Sequence, residues 1–164
     1  AGALNLQQED VGLGALTEQV CEAFRDRLAG RGIVLELDLP HAVTVSADPQ
    51  RLRQLLHNLL ENCVRYVDPG GRVRVGLELR GGRATGGANL AELVVEDSGP
   101  GVGDDQLERL FERFYRVEEG RSRAGGGSGL GLSICHSIAE AHGGRMWAAR
   151  SSLGGLAVHL ELPA

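Results

Sequence analysis

Asn58 and Asn62 stand one helical turn apart in the stretch from Asp48 to Val67, D-P-Q-R-L-R-Q-L-L-H-N-L-L-E-N-C-V-R-Y-V. Asparagine is a poor helix former, and its carboxamide is costly to bury unpaired, so two of them in an otherwise apolar helix require a polar counterpart. At about 100° per residue, Asn58, Asn62, Arg65 and Tyr66 share one stripe, roughly 110° round from the apolar stripe of Leu52, Leu56, Leu59, Leu60 and Cys63. One Asn at the rim of a core is commonly satisfied by a nearby backbone group. Two, followed on the same side by a cation and a phenol, point equally to a polar ligand.

Three further stretches could carry chemistry. In Asp97-Ser98-Gly99-Pro100-Gly101 a carboxylate at the end of an apolar run can accept from an exocyclic amine. Gly99 and Gly101, without Cβ, would let a flat ring approach the backbone; a plain turn is the commoner use of such a run. Gly127-Ser128-Gly129-Leu130-Gly131-Leu132 opens a helix and could set backbone N–H groups and the positive helix end against phosphate oxygens, a flexible hinge being the alternative. It is not a dinucleotide fingerprint, because an aperiodic segment precedes it and no βαβ unit surrounds it. Arg113 and Arg116 flank Phe114 and Tyr115, a pattern suited either to a lid whose arginines swing toward phosphate or to a solvated helix face with two anchoring aromatics.

The elements that must position these residues follow from periodicity and punctuation. Asp48 is a good N-cap and Pro49 a good first helical residue. Leu13, Leu16, Val20, Phe24 and Leu28 mark an earlier amphipathic helix ended by Gly30 and Gly32. Strands are expected at Ile33 to Leu39, Val43 to Ala47, Arg72 to Leu79, Leu90 to Glu96, Arg145 to Arg150 and Leu156 to Leu162. Gly81 to Gly87 reads as a surface loop, with no helix start behind it. Asp104 to Tyr115 is a short charged helical pattern, Arg116 to Gly127 an aperiodic segment expected to be mobile, and a helix runs from the glycine-rich start to about His142. Residues 1–10 read as a linker or an edge strand, and residues 11–164 as one domain with a lid at about 103–128.

Composition narrows the chemistry. The chain has 164 residues, 42% of them hydrophobic, enough for one core of ordinary size. A net charge of −5 argues against nucleic acid as the main partner. All 17 basic residues are arginine. Without lysine, neither a P-loop nor a protein kinase of the eukaryotic type can be built, so a nucleotide would have to be handled by Arg, backbone amides and a metal ion. Cys21, Cys63 and Cys135 occupy apolar positions of three separate helices and read as small core residues in a reducing compartment. No apolar run approaches the ~18 residues of a membrane span. The first residue is Ala and the only Met is Met146, so the chain is expected to be part of a longer protein.

Taken in order, the four stretches closely resemble the catalytic ATP-binding domain of bacterial sensor histidine kinases, within the group that includes gyrase, the Hsp90 chaperones and MutL. N-L-L-E-N-C-V-R-Y resembles its N box, D-S-G-P-G its G1 box, F-E-R-F-Y its F box and G-S-G-L-G-L its G2 box. The likeness extends to the D-P-x-R-L before the N box and the A-H-G-G after the last helix, and so covers nearly the whole chain. It implies a two-layer α/β sandwich, the Bergerat fold, with one mixed sheet covered on one face by helices. It implies that Asn62 ligates Mg²⁺, that Asn58, Arg65 and Tyr66 lie near the phosphates and the nucleotide, and that Asp97 binds the adenine amine beside Gly99 and Gly101. Backbone at Gly127, Ser128, Gly129, Leu130 and Gly131 would cradle phosphates, and Arg113 or Arg116 would reach the phosphate tail. Asn58 and Arg116 are the implied catalytic residues. Cys63 stands where the family usually has Ala, a packing variation.

Two departures matter. Gyrase-like members carry a Glu four residues before the metal Asn as a general base; Asn58 cannot take a proton, so intrinsic hydrolysis should be slow. The family's phosphoacceptor is a His on a separate hairpin, followed by an acidic residue and then Pro, and none of His41, His57, His136, His142 and His159 has that context. The expected partners are therefore the dimerisation and phosphoacceptor hairpin of the parent kinase and a response regulator, with the domain itself monomeric, the parent a homodimer and the location cytoplasmic, beneath an inner-membrane sensor. The alternative is a nucleotide-sensing or docking module of the same fold without catalysis. A serine-directed anti-sigma kinase fits less well, because such domains usually keep an acid at the position of Asn58.

Overall fold

The computed structural model describes residues 4–40, 42–81, 86–112 and 131–164. The elements are β1 (Glu9–Gly12), α1 (Leu13–Ala29), β2 (Val34–Asp38), β3 (Thr44–Ala47), α2 (Pro49–Tyr66), β4 (Arg72–Arg80), β5 (Leu90–Asp97), α3 (Asp104–Leu107), α4 (Gly131–Ala141), β6 (Arg145–Arg150) and β7 (Leu156–Pro163). The main sheet has five strands in the order β2-β4-β5-β7-β6. β2 and β4 are parallel, joined by a crossover through α2, and the other pairs are antiparallel, which makes the sheet mixed.

Alternation along the strands sends Val73, Val75, Ala91, Leu93, Val95, Val158, Leu160 and Leu162 into the core beneath the helices. The opposite face carries the cross-strand ion pairs Arg72–Glu36, Arg74–Glu96 and Arg145–Glu161, and helices cover one face only. This is the expected two-layer sandwich.

The two strands read before α2 part company. β2 joins the main sheet, whereas β3 pairs antiparallel with β1 in a separate two-stranded sheet, from Glu9↔Ala47 to Gly12↔Thr44. The charged helix expected from Asp104 is short: α3 ends at Leu107, and the chain continues in turns whose amides bond three residues back, Arg109 to Gln106 and Glu112 to Arg109. Such bonds tighten a helix end that has no buried stripe to hold it; α3 buries no residue.

α2 forms where its cap and stripe place it. Leu52, Leu55, Leu56, Leu59, Leu60 and Cys63 are buried, and the Asp48 carboxylate accepts from the amides of Gln50 (3.0 Å) and Arg51 (3.2 Å). Its other oxygen accepts from the Gln7 amide at 2.9 Å. These amides, Gln7's foremost, hold the carboxyl below its ordinary value of 3.8. A depressed folded-state pKa contributes stability that is present above that ordinary value and lost as pH falls through the lower folded value. Asp48→Ala should therefore cost about 1–2 kcal/mol in urea unfolding at neutral pH, and the gap to wild type should close as pH drops below 3.8.

Candidate functional site

The polar stripe of α2 faces the start of α4. Asn58 donates through Nδ2 to the Gly131 carbonyl at 3.4 Å, joining the middle of one helix to the first residue of the other. Cys135, one turn into α4, donates its Sγ hydrogen to the Leu55 carbonyl. Burial pushes the Cys135 thiol up to about 12, against a smaller opposing pull from Asn58, so it stays protonated beside the stripe. Asn62, Arg65 and Tyr66 continue the stripe toward the C-terminal end of α2, each half-buried. The Asn62 side chain has no hydrogen-bond partner among the described residues.

Asp97 closes β5. Its Oδ1 accepts from the amides of Gly99 (2.9 Å) and Leu156 (3.2 Å), while its own carbonyl accepts from the Gly155 amide at 3.1 Å. The loop behind it is fixed from the other side, the Asp68 amide donating to the Gly99 carbonyl at 3.1 Å. The Asp97 charge also reaches α2: Cys63 is raised above its ordinary value, by burial first and by Asp97 second. Through the Asp68 amide, two residues past the end of α2, the loop after Asp97 is tied to the C-terminal end of that helix.

Sequence reasoning missed what lies under this loop. The turn between β6 and β7 packs directly against it, and a Cβ on Gly155 would overlap the Asp97 carboxylate and the Gly99 backbone. Gly101 sits at φ +77°, where a Cβ would stand 3.1 Å from the Gly155 Cα. Ser151 Oγ donates to Glu96 at 2.7 Å and steadies the turn. The signal was present in S-S-L-G-G, which periodicity alone reads as a strand connection.

Of the residues singled out from the sequence, the structure brings Asn58 to Gly131 and holds Asp97 against Gly99. Arg113, Arg116, Gly127, Ser128, Gly129 and Leu130 lie outside the described residues. His57, one position before Asn58, is exposed and turns its ring edge-on to Phe24 of α1 at 5.0 Å, away from the site. Cys21, Cys63 and Cys135 are free and buried, in keeping with core packing.

No cluster of three His, Cys, Asp or Glu side chains occurs among the described residues. A hard cation held by one carboxamide oxygen, with the rest of its shell from phosphate and water, fits the unpartnered Asn62, because Mg²⁺ usually keeps several waters and takes few protein ligands. Among the described residues, no helix is long and apolar enough to cross a membrane.

Comparison with known proteins gives consistent matches. Residues 47–164 match the family described as histidine kinase-, DNA gyrase B-, and HSP90-like ATPase. The signal transduction histidine-protein kinase BaeS of Escherichia coli K12 is 49% identical over 162 residues, covering 99% of this chain and 33% of BaeS. The chain spans about a third of the length of the curated relatives it matches. Among solved structures, the mycobacterial sensor histidine kinase MprB superposes with a TM-score of 0.77 at 30% identity, over 95% of this chain and 97% of that one. Full-length ShkA in complex with AMPPNP gives 0.78 at 30% identity, over 99% of this chain and 32% of ShkA.

Proposed function

This chain belongs to the histidine kinase-, DNA gyrase B- and HSP90-like ATPase family, and from that premise we propose that it is the catalytic ATP-binding domain of a sensor histidine kinase. The observation that carries the reading is the meeting of Asn58 with the start of α4, which joins the polar stripe of α2 to the end of the glycine-rich run. In this reading Asp97 accepts from the adenine amine, with Gly99 and Gly101 beside it. Asn62 holds Mg²⁺, while Arg65 and Tyr66 line the approach to the phosphates. Amides of Gly127, Ser128, Gly129, Leu130 and Gly131 receive phosphate oxygens, and Arg113 or Arg116 reaches the tail. Bound Mg²⁺ supplies charge neutralisation across the phosphates.

The domain positions the nucleotide and leaves the nucleophile to another module. A His nitrogen on the separate dimerisation hairpin of the parent kinase attacks the γ-phosphorus; an N–P bond forms, the β,γ-bridging P–O bond breaks, and ADP leaves. The phosphoryl group then passes to a response regulator. The domain works in the reducing cytoplasm as part of an inner-membrane sensor, where its three cysteines stay thiols.

Asn58 cannot serve as a general base, and a positioned base is worth about 10²–10⁴-fold. Release of inorganic phosphate by the domain alone should accordingly be slower, by about a hundredfold or more, than phosphoryl transfer when the hairpin is added. Labelled ATP with and without the hairpin, followed by detection of acid-labile phosphohistidine, measures both. Nucleotide binding with no phosphohistidine on the hairpin would favour the non-catalytic sensing module instead.

A further inference from the structure

α2 and α4 run antiparallel and are joined by polar contacts at three levels. At the site end Asn58 meets Gly131, midway Cys135 meets Leu55, and at the far end the Asp48 backbone N–H donates to Nε2 of His142 at 3.0 Å. Both residues of this last contact are buried, with 6% exposure each. The other imidazole nitrogen, Nδ1, lies 2.8 Å from the Ile138 carbonyl. With Nε2 accepting, the proton resides on Nδ1 and is donated one turn back into α4. His142 thus bonds the last turn of α4 on one side and the N-cap residue of α2 on the other. That N-cap is itself bonded to Gln7 in the segment before β1.

Apolar packing along the seam resists separation of the helices but is non-directional, so a small slip costs it little. A hydrogen bond with fixed geometry does not tolerate that slip. We propose that His142 is a positioning residue for the nucleotide site, holding α2 and α4 in the register that brings Asn58 to Gly131, about 15 Å along α2 from the His142–Asp48 bond. The inference rests on the reading of this site as a nucleotide site. His142 touches neither nucleotide nor metal in that reading.

Substitutions that keep or remove the acceptor test it. Glutamine places a carboxamide oxygen near the position of Nε2, whereas asparagine is too short to reach Asp48 and phenylalanine fills the space without an acceptor. Titration with AMP-PNP and Mg²⁺, below the melting temperature of each variant, should give a dissociation constant raised at least about fivefold for His142→Asn and His142→Phe. His142→Gln should return to within about twofold of wild type. A mutation-free arm reads hydrogen exchange of the Asp48 amide in wild type against that of Leu93 in the core. Because coupling is reciprocal, saturating nucleotide should slow local opening at Asp48 beyond the general stabilisation seen at Leu93. Wild-type affinity in a folded His142→Asn, a glutamine variant as weak as the asparagine one, or an Asp48 amide indifferent to nucleotide would each overturn the proposal. No binding by wild type would instead remove the nucleotide site itself, and the proposal with it.

Discussion

Gly155→Ala is expected to lower affinity for an adenine nucleotide by at least about a hundredfold, ~2.8 kcal/mol. The added methyl would overlap the Asp97 carboxylate and the backbone of Gly99, so Asp97, its loop or the whole turn must move. Close-packed interiors do not absorb such an insertion smoothly, and overpacking typically costs about 1–3 kcal/mol of stability as well. Asp97 is held by the amides of Gly99 and Leu156, and losing that geometry misdirects the oxygens proposed to meet the adenine amine. Gly76→Ala is the matched control, because a Cβ there meets nothing within 4 Å. The control should bind as wild type; equal binding by Gly155→Ala would show that the turn plays no part in shaping the site.

Asn62→Ala should abolish Mg²⁺-dependent phosphoryl transfer to the hairpin, by roughly a hundredfold or more, while leaving the fold intact. Asn62 is half-buried and its side chain bonds no other described residue, so truncating it opens no core cavity and orphans no described partner. A metal on a transferring phosphoryl group is worth several kcal/mol in the transition state, which sets the scale of the loss. The melting temperature should move by no more than about 2 °C, in line with a substitution outside the core. A variant that transfers as fast as wild type would take the metal away from Asn62.

Which features could be read from the sequence, and which could not, follows from the range of the interactions. α2 was legible because its cap, its proline and its leucine stripe are all local, and Asp48 and Pro49 stand where the spacing puts them. Asn58 was legible as a polar residue needing a counterpart, but that the counterpart is the Gly131 carbonyl, 73 positions on, leaves no trace in periodicity. The same holds for Gly155, whose partner loop lies more than fifty positions upstream, and for His142, which looks like an ordinary helix end until α2 is folded against it. β2 and β3 share an alternating pattern but enter different sheets, because pairing is decided by which strand edge each one meets. α3 ends at Leu107, and the buried Leu110 and core-packed Phe111 sit in the turns that follow it, a change of backbone that the helical spacing of these residues does not reveal.

Calorimetric titration of this chain with AMP-PNP, with and without Mg²⁺, in parallel with Asn62→Ala, bears most directly on the nucleotide site. Wild type should bind one nucleotide per chain, more tightly with Mg²⁺ than without, and Asn62→Ala should lose that dependence on Mg²⁺. Absence of binding by wild type and variant alike would contradict the assignment of an ATP-binding catalytic domain.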